Sequence, residues 1–266
     1  AQTEGFLSPL VLGLLGLSII SLVVFILIEK RTAEPIILID LFRNRVFSIN
    51  LILLLISMIA LNGYGFLMPF YMQNVLQLST IQMGITLAIV FGLVMAVTAP
   101  IGGTISDKIG AAKVTMIGIF LLFASTIGAI WLNETSTQLS VLLHFLPIGI
   151  GIGLIITPTT SAIMGAMPRN RLGMGSSLVS ISINMAQTMG IAILGSYWSS
   201  RVNTFLGYPP SGGASTAPAN MQANALQETF ILAACLLGIG LILNLWELIS
   251  LSRRADRKSD IAQNKS

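Results

Sequence analysis

The distribution of positive charge constrains this chain more than any other feature of its sequence. Seven long apolar stretches divide the sequence, and thirteen of its fourteen Lys and Arg residues fall in alternate gaps between them or after the last one. Only Arg201 lies in a gap of the other parity. Because cytoplasmic loops of membrane proteins collect Lys and Arg, the pattern predicts that residue 1 lies outside the cell and that the C-terminus lies in the cytoplasm.

The composition agrees with a membrane protein. Charged residues make up 9% of the chain and hydrophobic residues 54%, which leaves too little polar surface for a soluble domain. A spanning helix needs about 20 mostly apolar residues. The sequence therefore predicts an all-α, multi-pass protein of the cell inner (cytoplasmic) membrane with seven transmembrane helices, at Phe6–Ile28, Val46–Met72, Ile81–Ile105, Val114–Leu132, Leu139–Met164, Met174–Trp198 and Phe230–Leu251.

The ionisable residues exclude several kinds of site. The formal charge of +4 belongs to loops and the tail, so it indicates contact with anionic lipid headgroups and no nucleic-acid partner. A single cysteine, Cys235, rules out a disulfide within the chain and a Cys-rich metal site. Glu247 is the acidic residue closest to the middle of a stretch, and we expect it to reach water at the inner end of the last helix.

Three segments outside the stretches complete the organisation. Residues 199–229, rich in Gly, Pro, Ser, Ala and Asn, predict a flexible outer loop. Residues 252–266 predict a disordered cytoplasmic tail. Ala1–Glu4 lack both a starting Met and the basic start of a signal peptide, so we expect further spans to precede this sequence in the native protein.

The sixth stretch carries a polar stripe. Its members recur at spacings of three and four residues and so share one helix face: Gly173, Ser177, Ser180, Asn184, Gln187 and Thr188. One interpretation is a helix contact made of small residues and side-chain hydrogen bonds. The other is that Asn184 and Gln187 face a water-filled cavity and bind a substrate.

The second stretch repeats this pattern more sparsely. Asn62 lies near its centre, Tyr64 and Phe66 follow, and Asn62, Phe66 and Gln73 share a face. An amide among aromatic rings suits a flat, apolar, cationic ligand. An amide bonded to a neighbouring helix explains the pattern equally well.

Two further features invite a functional interpretation. His144, the one histidine, lies in the outer part of the fifth stretch and is a candidate proton relay, although a structural role is the alternative. In the inner loop from Gly103 to Gly110, we expect Asp107 to cap the following helix and Gly110 to allow a tight turn.

At this loop the sequence resembles a known family. Gly103-x-x-x-Asp107-Lys108-x-Gly110 resembles the signature loop of the major facilitator superfamily. Other segments resemble the fourteen-span drug:proton antiporters of that superfamily, namely Asp40–Arg45, Met68–Gln73, Gly149–Gly153 with Pro158, and Asn184-x-x-Gln187-x-x-Gly190. The family's basic residues after the second Gly are replaced here by Ala111-Ala112.

The resemblance implies an architecture. Residues 1–45 would form a central extra helix with an inner linker, and residues 46–251 would form the C-terminal six-helix bundle. The N-terminal half of the transporter would then be a missing partner. In this family the membrane-embedded acidic residues usually lie in that other half.

The resemblance also implies an activity and roles for residues. The chain would be part of a proton-coupled multidrug exporter that confers antibiotic resistance, not an enzyme, with the proton gradient as its energy source and no cofactor or metal. Two bundles would rock around a midplane cavity in alternating access. Candidate substrate contacts are Asn62, Tyr64, Phe66, Gln73, Asn184 and Gln187, and candidate gating residues are Gly103, Asp107, Lys108 and Gly110.

Other functions remain open at this point. An exporter of amino acids, peptides or siderophores fits the same residues, and so does a membrane scaffold that transports nothing. A light-driven pump fits poorly because Phe230–Leu251 contains no Lys, and a receptor with an extracellular disulfide is excluded by the single cysteine.

Overall fold

The structure, a computed structural model, describes residues 9–29, 39–208, 210 and 212–263. All regular structure within these ranges is helical, which confirms the predicted all-α class. Six helices there are long and apolar enough to cross a membrane, and they overlap the last six predicted stretches. We number the helices α1 (Pro9–Glu29), α2 (Arg45–Val75), α3 (Thr80–Ile109), α4 (Ala111–Ala129), α5 (Gln138–Gly165), α6 (Arg169–Leu206) and α7 (Ala219–Gln263).

Helix α1 overlaps the first predicted stretch. Apolar side chains along it, including Leu14, Leu17 and Ile20, are exposed. Residues 1–8 and 30–38, which include Lys30 and Arg31, lie outside the described residues. That α1 crosses the membrane as a seventh span stays a prediction.

Helices α2 to α7 form one bundle around a shared core. Helix α2 packs against α5, α6 and α7, helix α5 packs against α3 and α4, and α7 also packs against α4 and α6. Asn50 near the start of α2 bonds to Glu247 near the end of α7, whereas Asn74 near the end of α2 bonds to Gln222 near the start of α7. The two helices are therefore antiparallel.

Close backbone approach holds α4 against α5. A Cβ built on Gly151 would lie 2.7 Å from the carbonyl oxygen of Gly118. Lipid removes the hydrophobic drive between helices, so dispersion between closely packed backbones stabilises such contacts. The glycines of the fifth predicted stretch thus serve packing between helices.

Local signals explain several helix ends. Ser79 and Gln82 form a capping box at the start of α3, with Ser79 N donating to Gln82 Oε1 at 3.0 Å. Gly110, with φ of +94°, separates α3 from α4 as a single residue.

Helices α2, α3 and α6 each contain a π-helical turn, at Tyr71–Val75, Ala88–Val94 and Ile191–Gly195.

The predicted outer loop 199–229 is shorter in the structure. Helix α6 continues to Leu206 and α7 begins at Ala219, so the connection covers 207–218. Polar residues of the predicted loop form hydrogen bonds there, as when Gln222 Nε2 donates to the Ser215 carbonyl oxygen at 3.0 Å. The tail also differs from the predicted disorder, because its backbone is helical as far as Gln263.

Candidate functional site

The polar stripe of α6 lies on an exposed face of the bundle. Its six members are all exposed, whereas Leu178, Ser182 and Ala186 on the opposite side of α6 are buried. Two of the three hydroxyl groups of the stripe are satisfied within the helix: Ser177 donates to the Gly173 carbonyl oxygen at 3.0 Å and Thr188 to that of Asn184 at 3.3 Å. The stripe is therefore not a contact between helices within the described part of the chain.

The two amides of the stripe, unlike the hydroxyl groups of Ser177 and Thr188, form no hydrogen bonds with the described part of the protein. Neither the Asn184 nor the Gln187 side chain hydrogen-bonds to another described residue. Each amide offers two N–H donors and one carbonyl acceptor. Two amides one turn apart can bind a polar group of a ligand that approaches this face.

Asn62 of α2 lies beside the α2–α6 contact. A side chain on Gly63 would collide with Leu194, and one on Gly190 would collide with the carbonyl oxygen of Ile59, so the two helices touch at this level. The half-buried Asn62 amide donates to the Met58 carbonyl oxygen at 2.8 Å, within its own helix. This bond leaves the Asn62 carbonyl oxygen available to a ligand.

Tyr64, a predicted substrate contact, lies in the core of the bundle. It is fully buried, and its ring meets Phe145 and Phe230 at centroid distances of 6.0 and 5.6 Å. Its hydroxyl group bonds to Thr126, whose own hydrogen is donated to the Leu122 carbonyl oxygen at 2.7 Å. Two residues along a helix correspond to a turn of about 200°, so Tyr64 points away from Asn62.

The remaining candidates on α2 occupy its C-terminal half. Phe66 is half-buried, contacts Phe70 at 5.3 Å between ring centroids, and fills the space beside Gly195 of α6. Gln73 is exposed and falls within the π-helical turn. Because that turn holds more residues than an α-helical turn, it changes the angular relation between Phe66 and Gln73 on which their shared face was predicted.

The segment from Gly103 to Gly110 is the last turns of α3 and not a loop. Asp107 and Lys108 are exposed there and bond to no described side chain. Asp107 does not cap α4, which starts directly after Gly110 without a side-chain cap. The positive φ of Gly110 allows the reversal within one residue, as predicted, and this leaves no room for a capping loop.

His144 lies on another pair of helices. Its Nδ1 donates to the Ser140 carbonyl oxygen at 2.8 Å, and a Cβ on Gly128 of α4 would lie 3.1 Å from its Cδ2. The hydroxyl group of Ser125 donates to the His144 carbonyl oxygen. The histidine therefore packs in the α4–α5 contact and not beside the α6 stripe.

Two ionisable arrangements were not predicted. Arg201, the exception to the charge pattern, forms a bidentate ion pair with Glu228 of α7, with its Nη2 at 2.9 Å from Oε1 and its Nε bound to Oε2. The Arg201 guanidinium also lies 5.2 Å from the ring centroid of Phe205. The sequence analysis assigned both residues to a loop and therefore predicted no ion pair. The sequence did contain a signal for it, because Arg201 and Glu228 are the one base and the one acid in the segment 199–229.

Glu247 is the second arrangement. It is only 2% exposed, and its Oε1 accepts a hydrogen bond of 2.8 Å from Asn50. The expectation that it reaches water is therefore wrong. Asn244 lies three residues before Glu247 and is also buried, a spacing that places two polar groups on one face of a helix.

Comparison with known proteins gives a family. The sequence model of the Major Facilitator Superfamily matches residues 5–191. Among curated proteins, the tetracenomycin C resistance and export protein of Streptomyces glaucescens is 29% identical over 201 residues, which cover 76% of this chain and 36% of that protein. The riboflavin transporter RibZ of Clostridioides difficile is 27% identical over 235 residues, which cover 87% of this chain and 50% of RibZ.

A third relative has a similar relation to the chain. The multidrug transporter protein MdtP of Bacillus subtilis is 29% identical over 197 residues, which cover 74% of this chain and 36% of that protein. The chain thus spans between a third and a half of the length of these relatives.

Proposed function

The chain belongs to the major facilitator superfamily, and from this premise we propose that it acts as part of a proton-coupled exporter of small amphipathic or cationic compounds. The observation that carries the proposal is the exposed stripe of α6, where two amides without a partner among the described residues interrupt an apolar membrane helix. A polar helix face costs free energy when it contacts lipid. It is stable when it faces a water-filled path or a partner bundle. Relatives named as multidrug and tetracenomycin C transporters support the substrate class.

Substrate contacts are assigned to Asn184, Gln187 and Asn62. The double change of Asn184 and Gln187 to Ala is expected to alter which compounds the full-length protein exports, because these side chains stabilise no other described residue. The measurement is export of a panel of dyes and drugs by energised membrane vesicles, alongside the amount of folded protein. Export that keeps its selectivity, or a loss of folded protein, would contradict the assignment.

Asn74 offers a matched control for that experiment. Its amide donates to the Ser215 carbonyl oxygen at 3.1 Å and to Gln222 Oε1 at 3.2 Å, so it joins α2 to the α6–α7 connection. Asn74→Ala is expected to lower the amount of folded protein and to leave selectivity unchanged. Because Asn74 and Asn184 undergo the same replacement by Ala, comparing the variants distinguishes a side chain that contacts the substrate from one that packs between helices.

Asp107 and Lys108 are proposed to form an inner latch with the half of the transporter outside this chain. Both are exposed at the end of α3 without a described partner, as a latch between two bundles requires. Asp107→Asn and Lys108→Ala are expected to reduce transport, whereas Lys113→Ala, an exposed basic residue at the start of α4, serves as the control. Equal effects of Lys108→Ala and Lys113→Ala would indicate a general charge effect.

Coupling to protons is tested by collapsing the proton gradient. A protonophore is expected to stop export in energised vesicles, and export that continues would contradict the coupling. A protein that moved neither compounds nor protons would instead be a scaffold.

A second candidate substrate is a flat metabolite. RibZ, which matches a larger share of this chain than the other two relatives described above, is named as a riboflavin transporter. Riboflavin therefore belongs in the transport panel. Its transport, with no transport of cationic drugs, would favour this second function.

A further inference from the structure

A second polar cluster lies inside the bundle, apart from the exposed stripe of α6. It consists of Asn50 on α2 and Asn244 and Glu247 on α7, which we name the amide–carboxyl cluster. All three side chains are almost fully buried. Asn50 Nδ2 donates to Glu247 Oε1 at 2.8 Å and to the Val46 carbonyl oxygen at 2.9 Å.

The cluster faces α4 as well as α2. A Cβ on Gly240, one turn before Asn244, would lie 3.8 Å from Ile119 of α4 and 4.0 Å from Leu53 of α2. One turn from Ile119 towards the start of α4 is Thr115, whose side chain is also buried. The polar residues therefore belong to the interface of α2, α4 and α7.

Most of the polar atoms of the cluster have no partner among the described residues. They are Asn50 Oδ1, both side-chain polar atoms of Asn244, and Glu247 Oε2, and Thr115 Oγ1 is unpartnered as well. The large majority of buried polar atoms in proteins are hydrogen-bonded. A concentration of unpartnered atoms around one buried carboxyl group therefore needs a specific explanation.

No described cation neutralises Glu247. The charged side chains on the helices that pack against α7 are Arg45 on α2, Lys113 on α4, and Arg169, Arg171 and Arg201 on α6. Arg45 lies over the ring of Trp246, 5.4 Å from its centroid, and Arg201 is paired with Glu228. Helices α2, α4 and α6 contain no Asp, Glu or His. The side chains of residues 253–263 lie outside those that the structure describes.

The composition of the cluster suits a group that gains and loses a proton. A buried carboxylate without a cation is costly in an apolar medium, and taking up a proton removes that charge. The carboxylate accepts N–H groups, whereas the carboxylic acid needs one acceptor for its O–H. The Asn244 amide lies one turn before Glu247 and has no partner among the described residues, so it is free to offer either group after rotation about its terminal bond, while Asn50 donates to Oε1.

We propose that Glu247, which accepts a hydrogen bond from Asn50 and shares a helix face with the unpartnered Asn244, is a proton-binding site within this half of the transporter. The inference deepens the proposed function, because it assigns a proton-binding group to a chain proposed to act in a proton-coupled exporter. It identifies a site away from the exposed amides, so the proton would bind inside the bundle and the exported compound on its exposed α6 face.

The test is pH-difference infrared spectroscopy of the full-length protein in lipid nanodiscs. The carboxylic-acid C=O band of Glu247 is expected to convert to a carboxylate band as pH rises, and Glu247→Gln is expected to remove that change. Glu228→Gln is the matched control, since it alters an ion-paired glutamate on the same helix. Asn244→Leu, which keeps Glu247 and a similar volume, is expected to shift the pH at which the band converts.

Several results would overturn the proposal. These are a spectrum of Glu247→Gln that superimposes on that of the unchanged protein, a conversion midpoint that Asn244→Leu does not move, and a band that responds to Na⁺ instead of pH. The spectra require no transport and no exported compound. A failure of the transport experiments therefore leaves this test independent.

Discussion

Gly151→Ala is expected to destabilise the bundle, although Ala is the better helix former. The Cβ would lie 2.7 Å from the Gly118 carbonyl oxygen and 3.1 Å from Leu122 Cγ. Ordinary contact begins near 3.4 Å, so α4 and α5 would have to separate locally by about 0.7 Å. Both neighbours belong to a packed helix, which leaves little room for relaxation.

The expected magnitude combines two opposing effects. Overpacking costs about 1–3 kcal/mol, and replacing Gly by Ala within a helix returns about 1 kcal/mol, so the net loss should be about 0–2 kcal/mol, towards the upper end here because the contact is with backbone. Gly65→Ala is the matched control, because Gly65 lies within α2 with nothing within 4 Å of its Cβ position. That variant should be neutral or more stable by up to about 1 kcal/mol.

The assay is equilibrium unfolding of the purified protein in mixed micelles, followed by circular dichroism. Gly151→Ala should unfold at a lower denaturant fraction than the unchanged protein, and Gly65→Ala should not. If the two variants were equally stable, the close approach of α4 and α5 would be refuted. A destabilised Gly65→Ala would show that the method detects the loss of glycine itself.

Three further changes test other parts of the structure. Tyr64→Phe should lower the free energy of unfolding by about 1 kcal/mol, because it removes one buried hydrogen bond while the Thr126 hydroxyl still donates to the Leu122 carbonyl oxygen. Equilibrium unfolding measures this loss, and an altered export selectivity would contradict the placement of Tyr64 in the core. Arg201→Gln and Glu228→Gln should each lower the thermal midpoint of unfolding, and the double variant should have a midpoint no lower than either single variant. Exchanging the two residues should restore part of the lost midpoint, whereas additive effects of the single changes would contradict the ion pair. Gly110→Ala should cost about 1–3 kcal/mol of unfolding free energy, because φ of +94° is strained for any residue with a Cβ, and a neutral result would contradict the one-residue turn.

Much of the site could be predicted from spacing along single helices. The stripe from Gly173 to Thr188 follows a period of three and four, and the structure keeps all its members on one face. Gly110 was predicted to allow a tight turn, and its φ of +94° agrees with that prediction. In both cases the answer depends on one helix or one connection.

The failures involve residues whose role depends on a second helix. Arg201 and Glu228 looked like loop charges, yet each is the partner of the other across the α6–α7 contact. Glu247 looked interfacial because it lies near a helix end, yet Asn50 of α2 covers it. No spacing within one helix could show either pairing.

The sequence alone is enough to predict the order of the six spanning helices α2 to α7, the parity of the basic residues and the face of α6 that carries polar groups. Packing between helices determines which of these faces are buried, so that Tyr64 and Glu247 are buried while Asn184 and Gln187 are exposed. The physical reason is the bilayer. A soluble helix marks its buried face by hydrophobicity, but in a membrane the lipid and the protein interior are both apolar, so the direction of each face is set by the neighbouring helices.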